Sequence, residues 1–203
     1  MMSYINYSDT MDIPWGSEES HKFVTNIGLI TSNGPNGGNI MAAEWTRLVS
    51  YSPGLIAINL SPGEATLDNI QHTKHFGVNI AADDQFDIIV VAGRHTGWKV
   101  DKIGMLKDME IEIYRGETID VPMLKGTALN IEAKVVSELK VGDHIMFIGE
   151  VLKVSHNAHK KPIAYNGSMW KLTENVPRPS AEFSEKMEKL AGKHKKHSSS
   201  EKH

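Results

Sequence analysis

The amino-acid sequence predicts a mainly β protein, a β-barrel decorated with a few short helices, and three observations lead there. Short apolar segments rich in branched residues recur along the chain, bounded by Gly, Pro, Ser and Asn. Two of them are joined by the tight connection Val141-Gly142-Asp143, which makes an antiparallel hairpin. The glycines form no dinucleotide fingerprint, because Ser32 to Gly38 (SNGPNGG) has the composition of a hairpin tip, not of a helix opening after a strand.

Phe23 to Thr31 (FVTNIGLIT) and Leu55 to Leu60 (LIAINL) carry the side chains that suit a pleated surface. Met109 to Tyr114 sets Met109, Ile111 and Ile113 against Glu110 and Glu112. The same period of two sets Leu129, Ile131, Ala133 and Val135 against Asn130, Glu132 and Lys134, so each segment reads as a strand with one wet face. His144 to Val154 (HIMFIGEVLKV) is apolar on both faces over much of its length, as in a central barrel strand or one covered by a partner subunit. Helices are predicted over Thr66 to Lys74, Gln85 to Ala92 and Ala181 to Ala191. In the last, Ser180 is the N-cap, and Phe183, Met187 and Leu190 stand at helical spacing. Gly192 to His203 lacks apolar residues and is expected to be a disordered tail.

The 203 residues are enough for one substantial core, and a single domain with appendages is expected. A formal charge of −3 argues against duplex nucleic acid or an anionic membrane as main partner. No run approaches the ~18 apolar residues of a membrane helix, and Met1 to Thr10 has no signal-peptide pattern, so the expected location is the cytoplasm. Without cysteine there are no disulfides, thiolate nucleophiles or cysteine-held clusters, and redox chemistry needs a bound cofactor. His156 and His159 stand close together, but no acidic third ligand is nearby, and a solvated loop is expected there and no metal.

Four segments carry candidate chemistry. Asn39-Ile-Met-Ala-Ala-Glu-Trp-Thr46 combines small residues, which let a flat ring approach the backbone, with an indole to border it; a core strand with a buried Trp45 fits as well. Leu60-Ser-Pro-Gly-Glu-Ala-Thr-Leu-Asp-Asn-Ile70 is a strand end, a turn and a helix start, where exposed amides and the Ser61 and Thr66 hydroxyls suit an anion; Thr66 is equally suited to capping the helix. The remaining two are Gly93-Arg-His-Thr-Gly-Trp-Lys-Val-Asp-Lys-Ile103 and Gly142-Asp-His-Ile-Met-Phe-Ile-Gly-Glu-Val151.

Taken together and in this order, the Asn-x5-Trp-Thr strand, the Thr opening a helix before Phe76-Gly-Val-Asn79, the Asp101-Lys102 pair and Gly142-Asp-His144 resemble the flavin reductase-like family with an FMN-binding split barrel, closest to its flavoredoxin-like branch. The resemblance runs from about Phe23 to Leu172. It implies a Greek-key split β-barrel over 21–175, preceded by an N-terminal extension (1–20) and followed by a C-terminal helix (176–191) and a polar tail (192–203).

It also implies a non-covalent FMN. Asn39, Trp45 and Thr46 match the flavin-lining strand, with the backbone of Ile40, Met41 and Ala42 facing the ring's polar edge. Ser61, Thr66 and Lys102 match positions near the phosphate, and His144 matches the histidine that positions the nicotinamide. Tyr165 or Trp170 supplies a late aromatic over the ring. Many relatives carry a basic residue two before the helix-opening threonine, where this chain has Glu64. A carboxylate repels a phosphate at short range, so Glu64 is expected to face solvent while Lys102, with Arg47 or Lys99, supplies the charge.

The function so implied is an oxidoreductase that passes electrons from NADH or NADPH by hydride transfer to bound flavin, then to free flavin, a ferric chelate or a partner protein. A homodimer with FMN near the subunit interface belongs to the same pattern. Two other roles stay open: a flavoredoxin-type carrier that does not oxidise nicotinamide, and a non-catalytic flavin-binding module.

Overall fold

The computed structural model describes residues 11–195, and the chain divides between Leu172 and Thr173 into two units. The first opens with β1 (Thr25–Asn26), β2 (Gly28–Ser32), β3 (Asn39–Ala43), β4 (Thr46–Tyr51) and β5 (Gly54–Leu60). Next come α1 (Ala65–Thr73), β6 (His75–Ile80), α2 (Phe86–Arg94) and α3 (Lys102–Asp108). It closes with β7 (Ile113–Arg115), β8 (Pro122–Leu124), β9 (Leu129–Val141), β10 (His144–His156), β11 (Ala164–Tyr165) and β12 (Met169–Trp170).

Seven strands form one antiparallel sheet in the order β3-β2-β6-β9-β10-β5-β4. Its two edge strands, β3 and β4, are joined by only Glu44 and Trp45. So short a link forces the sheet to curl until its edges approach, giving a barrel split between β3 and β4. The fold is the Greek-key split barrel, mainly β with short helices, that the sequence predicts. The barrel is filled by Ile30, Ile56, Ile58, Phe76, Val78, Ile131 and Phe147, with Leu67 and Ile70 of α1 among them. A second core packs α2 and α3 on the outside of the sheet, through Ile88, Ile89, Ile103 and Leu106 against Leu29 and Ile40. Alternation explains why β2 is buried throughout: Ile30 points into the barrel and Leu29 toward the helices.

The hairpin β9–β10 pairs Val141 with His144 across Gly142-Asp143, and Gly142 adopts φ +59°, which a side chain would strain. As expected of a central strand, β10 lies between β9 and β5, but only its first half is well covered, and Leu152 and Val154 are exposed.

Three expectations change. The stretch Phe23–Thr31 is two strands, because Ile27 turns inward and its carbonyl accepts from the Ala81 amide at 3.0 Å while β1 leaves to pair with β11. The alternation over Met109–Tyr114 is a strand only from Ile113. Before it, the amides of Met109, Glu110 and Ile111 bond back to Met105, Lys107 and Leu106, closing α3, which the sequence pattern had not indicated. Glu132, expected on a wet face, is buried. Its carboxylate accepts from the amides of Glu117 (2.9 Å), Thr118 (2.6 Å) and Ile119 (3.2 Å) and from the Thr118 hydroxyl (2.6 Å).

The second unit contains α4 (Ala181–Lys193), capped by the Ser180 hydroxyl, which accepts from the Phe183 amide at 3.1 Å as its sequence predicts. The expected disordered tail lies mostly outside the described residues. No described helix is long and apolar enough to cross a membrane.

Candidate functional site

A cavity of about 1120 Å³ opens at the split of the barrel. Its floor comes from β3 (Met41, Ala42, Ala43), where the two alanines leave the backbone approachable. As an edge strand, β3 pairs with β2 alone, so its other edge carries backbone groups that the sheet does not use. Trp45 occupies the link between β3 and β4. Its carbonyl accepts from the Asn59 amide at 3.1 Å, which holds the link against β5, and the indole is 44% exposed rather than buried in a core.

His144 enters from the start of β10. Its ring centroid lies 4.5 Å from that of Trp45, the planes tilted by 42°. Nδ1 stands 2.6 Å from the Asp143 carboxylate and Nε2 3.4 Å from the Ser61 hydroxyl. The bond from His144 holds the Asp143 carboxyl below its ordinary value. Tyr165 also lines the cavity, and burial together with the nearby Glu44 carboxylate pushes its phenol up. Trp170 does not line it; its indole N–H donates to Asn166 at 2.6 Å.

A second group of residues, outside the cavity lining, sits where β3 meets α1. The Asn39 amide donates to the Thr66 hydroxyl at 2.9 Å, both side chains being buried. Glu64, not Thr66, is the N-cap residue of α1 and makes no side-chain cap bond. Lys102, in the first turn of α3, is 2% exposed and donates to the Ala92 carbonyl at 3.1 Å. Burial pushes its ammonium down from the ordinary value, and the Glu64 carboxylate works against that shift. Glu64 is half-buried, and its carboxylate favours the charged Lys102 without forming an ion pair with it. Over this group lies the segment between α2 and α3: the Trp98 indole N–H donates to the Gly63 carbonyl at 2.6 Å, and Gly97 packs so closely on the Asn39 amide that no Cβ fits there.

The structure therefore brings Met41, Ala42, Trp45, Ser61 and His144 to one cavity, whereas Asn39, Thr66 and Lys102 are buried outside its lining. Ile40 points into the core against α2 and α3, leaving only its backbone toward the edge. Thr46 turns inward, its hydroxyl donating to the Ala43 carbonyl at 3.0 Å. Among the described residues no group of three or more acidic or histidine side chains is placed to hold a metal ion.

The model of the flavin reductase like domain matches residues 20–172, most of the chain. The chain belongs to the flavin reductase-like family. It is 29% identical over 118 residues to an uncharacterized protein of Archaeoglobus fulgidus, a match covering 58% of this chain and 65% of that one, just under two thirds of the relative's length. It is 24% identical over 145 residues to the FMN reductase (NADH) SmoA of Agrobacterium fabrum, covering 71% of this chain and 77% of that protein. Among solved structures, the flavoredoxin of Methanosarcina acetivorans superposes with a TM-score of 0.70 at 21% identity, covering 84% of this chain and 95% of the other, which shows a shared fold.

For a flavin reductase-like protein the residues present suit a flavin. The buried Lys102 ammonium has a single hydrogen-bond acceptor, the Ala92 carbonyl, and an anion brought beside it satisfies donors that the fold leaves unused. The flat ring of a flavin suits an aromatic-bordered cavity floored by alanines. Sequence reasoning missed the Asp143 carboxylate on His144, although Asp143 stands in the same Gly-Asp-His motif. It also missed the N-terminal residues Ile13 to Val24 in the cavity wall, for which no local pattern signals a role.

Proposed function

We propose that the protein binds FMN non-covalently at the split of the barrel and acts as an NAD(P)H-dependent flavin reductase. The observation that carries this reading is the Trp45–His144 ring pair beside the unpaired edge of β3, a place for two planar rings against backbone. Met41, Ala42 and Trp45 border the flavin ring, the backbone of Ile40 to Ala42 meets its polar edge, and Ser61, Thr66 and Lys102 serve its phosphate end, with Asn39 on the flavin-lining strand bonded to the Thr66 hydroxyl. His144, oriented by Asp143, lies where a nicotinamide has to stack, and Tyr165 closes the opposite side. When bound, FMN supplies the two-electron chemistry that links a nicotinamide donor to an acceptor, whether free flavin, a ferric chelate or a partner protein. The protein orients the two rings and excludes water between them.

The reading includes a homodimer. Val136, Leu139, Val141, Leu152 and Val154 of β9 and β10 are exposed and offer apolar surface to a second copy.

The test is anaerobic. Purified protein loaded with FMN is mixed with NADH and, separately, NADPH while flavin absorbance is followed. Bleaching by either supports the reductase. A retained flavin that only dithionite bleaches makes the protein a carrier or binding module, and failure to retain FMN overturns the reading.

A further inference from the structure

The cavity has a second wall. The family model begins at residue 20, whereas Ile13, Trp15 and Gly16 already line the cavity, followed by Ser20 to Thr25. Three contacts fasten this segment. β1 pairs Thr25 with Tyr165 and Asn26 with Ala164. The His21 imidazole lies so tightly on Gly167 that a Cβ there has no room, and Gly167 holds φ +88°. One Arg47 guanidinium nitrogen donates to the Val24 carbonyl at 2.8 Å. Segments about 140 residues apart in sequence thus make one surface facing Trp45 and His144.

That surface is cationic. Lys22 and Arg47 line the cavity and are exposed to it, with His21 beside them. Of the two carboxylates in the lining, Asp143 is engaged by His144, and Glu44 lies toward Tyr165, whose phenol it pushes up. The guanidinium has further donors beyond its bond to Val24, in the fork geometry that matches phosphate oxygens. The cavity volume, about 1120 Å³, also lies above the roughly 300–1,000 Å³ usual for one small-molecule site. It has room for a second ligand beside a flavin, and the charges on the second wall select an anionic one.

We propose that Lys22 and Arg47 hold the diphosphate of the nicotinamide nucleotide, so that the N-terminal segment is the part of the chain that binds the electron donor. This rests on the reductase reading above. Each cation makes charge-assisted hydrogen bonds to a group remote from the reacting ring, and so contributes to binding the donor rather than to the electron transfer itself.

The experiment uses the full chain loaded with FMN and the variants Lys22→Gln and Arg47→Gln. Two donors are compared: NADH, and the phosphate-free dihydronicotinamide riboside. Each variant is expected to raise the KM for NADH about tenfold with little change in kcat, and to leave the KM for the riboside within about twofold of wild type. Arg47→Gln also removes a bond to Val24, so Lys22→Gln, which breaks no hydrogen bond of the described structure, separates charge from wall geometry. Equal shifts for both donors, or an unchanged KM for NADH in both variants, overturn the inference while leaving the reductase reading intact. A wild-type protein that neither donor reduces overturns the reductase reading and the inference with it.

Discussion

The Asp143 carboxylate lies 2.6 Å from Nδ1 of His144, and the same imidazole packs against Trp45 with ring centroids 4.5 Å apart and planes tilted by 42°. A carboxylate at Nδ1 favours a proton on that nitrogen, so Nε2 is turned to the Ser61 hydroxyl, 3.4 Å away. The ring is therefore held at both nitrogens and on one face.

If this ring orients a nicotinamide, His144→Ala slows reduction of bound FMN by NADH at least tenfold, the equivalent of about 1.4 kcal/mol of lost transition-state binding. FMN affinity and reduction by dithionite should be nearly unchanged. Asp143→Ala acts in the same direction with a smaller effect. Anaerobic stopped-flow bleaching with both reductants checks this. A histidine that only anchors the β9–β10 hairpin instead lowers the melting temperature and slows both reductants alike.

Lys102 and Thr66 are both buried, and each faces a partner at the junction of β3, α1 and the α2–α3 segment. Replacing either with Ala should weaken FMN more than riboflavin. A hydrogen bond to a charged group is worth roughly 1.5–3 kcal/mol, so the difference should be about tenfold or more in Kd, read from flavin fluorescence. Thr66→Ser keeps the hydroxyl and should restore most of the loss. Equal weakening of the two flavins means that these side chains hold the fold and not a phosphate.

Glu132 makes a prediction about stability. Burial alone would push its carboxyl up, but the bonds from the Thr118 hydroxyl and from the amides of Glu117, Thr118 and Ile119 together hold it below the ordinary value. A carboxyl lowered on folding stabilises the protein fully above its unfolded value, about 4.3, and that contribution is lost as pH falls through the lower folded value. Glu132→Gln should therefore cost roughly 1.5–3 kcal/mol at neutral pH. The gap between the two melting curves should shrink as pH falls below about 4. A gap independent of pH means that the ionised carboxylate adds nothing beyond shape.

Much of the barrel was legible in the sequence because its signals are local. The strand over Leu129 to Val135, the Gly142-Asp143 turn and the Ser180 cap each depend on residues a few positions apart, and all three elements stand in the structure, though the wet face of that strand does not. The same local logic misplaced Met109 to Ile111, because the closing bonds of α3 outweigh a two-residue period, and it exposed Glu132, because alternation cannot show that the 117–119 amides converge there.

The sequence by itself determined the main strands of the barrel and the family, and it singled out Trp45, Ser61 and His144, which line one cavity. Only the tertiary structure decided that Asn39 bonds Thr66, that the N-terminal segment packs His21 on Gly167, and that Arg47 donates to its Val24 carbonyl. These are meetings of side chains far apart in the chain. Their geometry is set by the curl of the sheet around its core, which brings the two edges β3 and β4 together, and no local propensity encodes that closure.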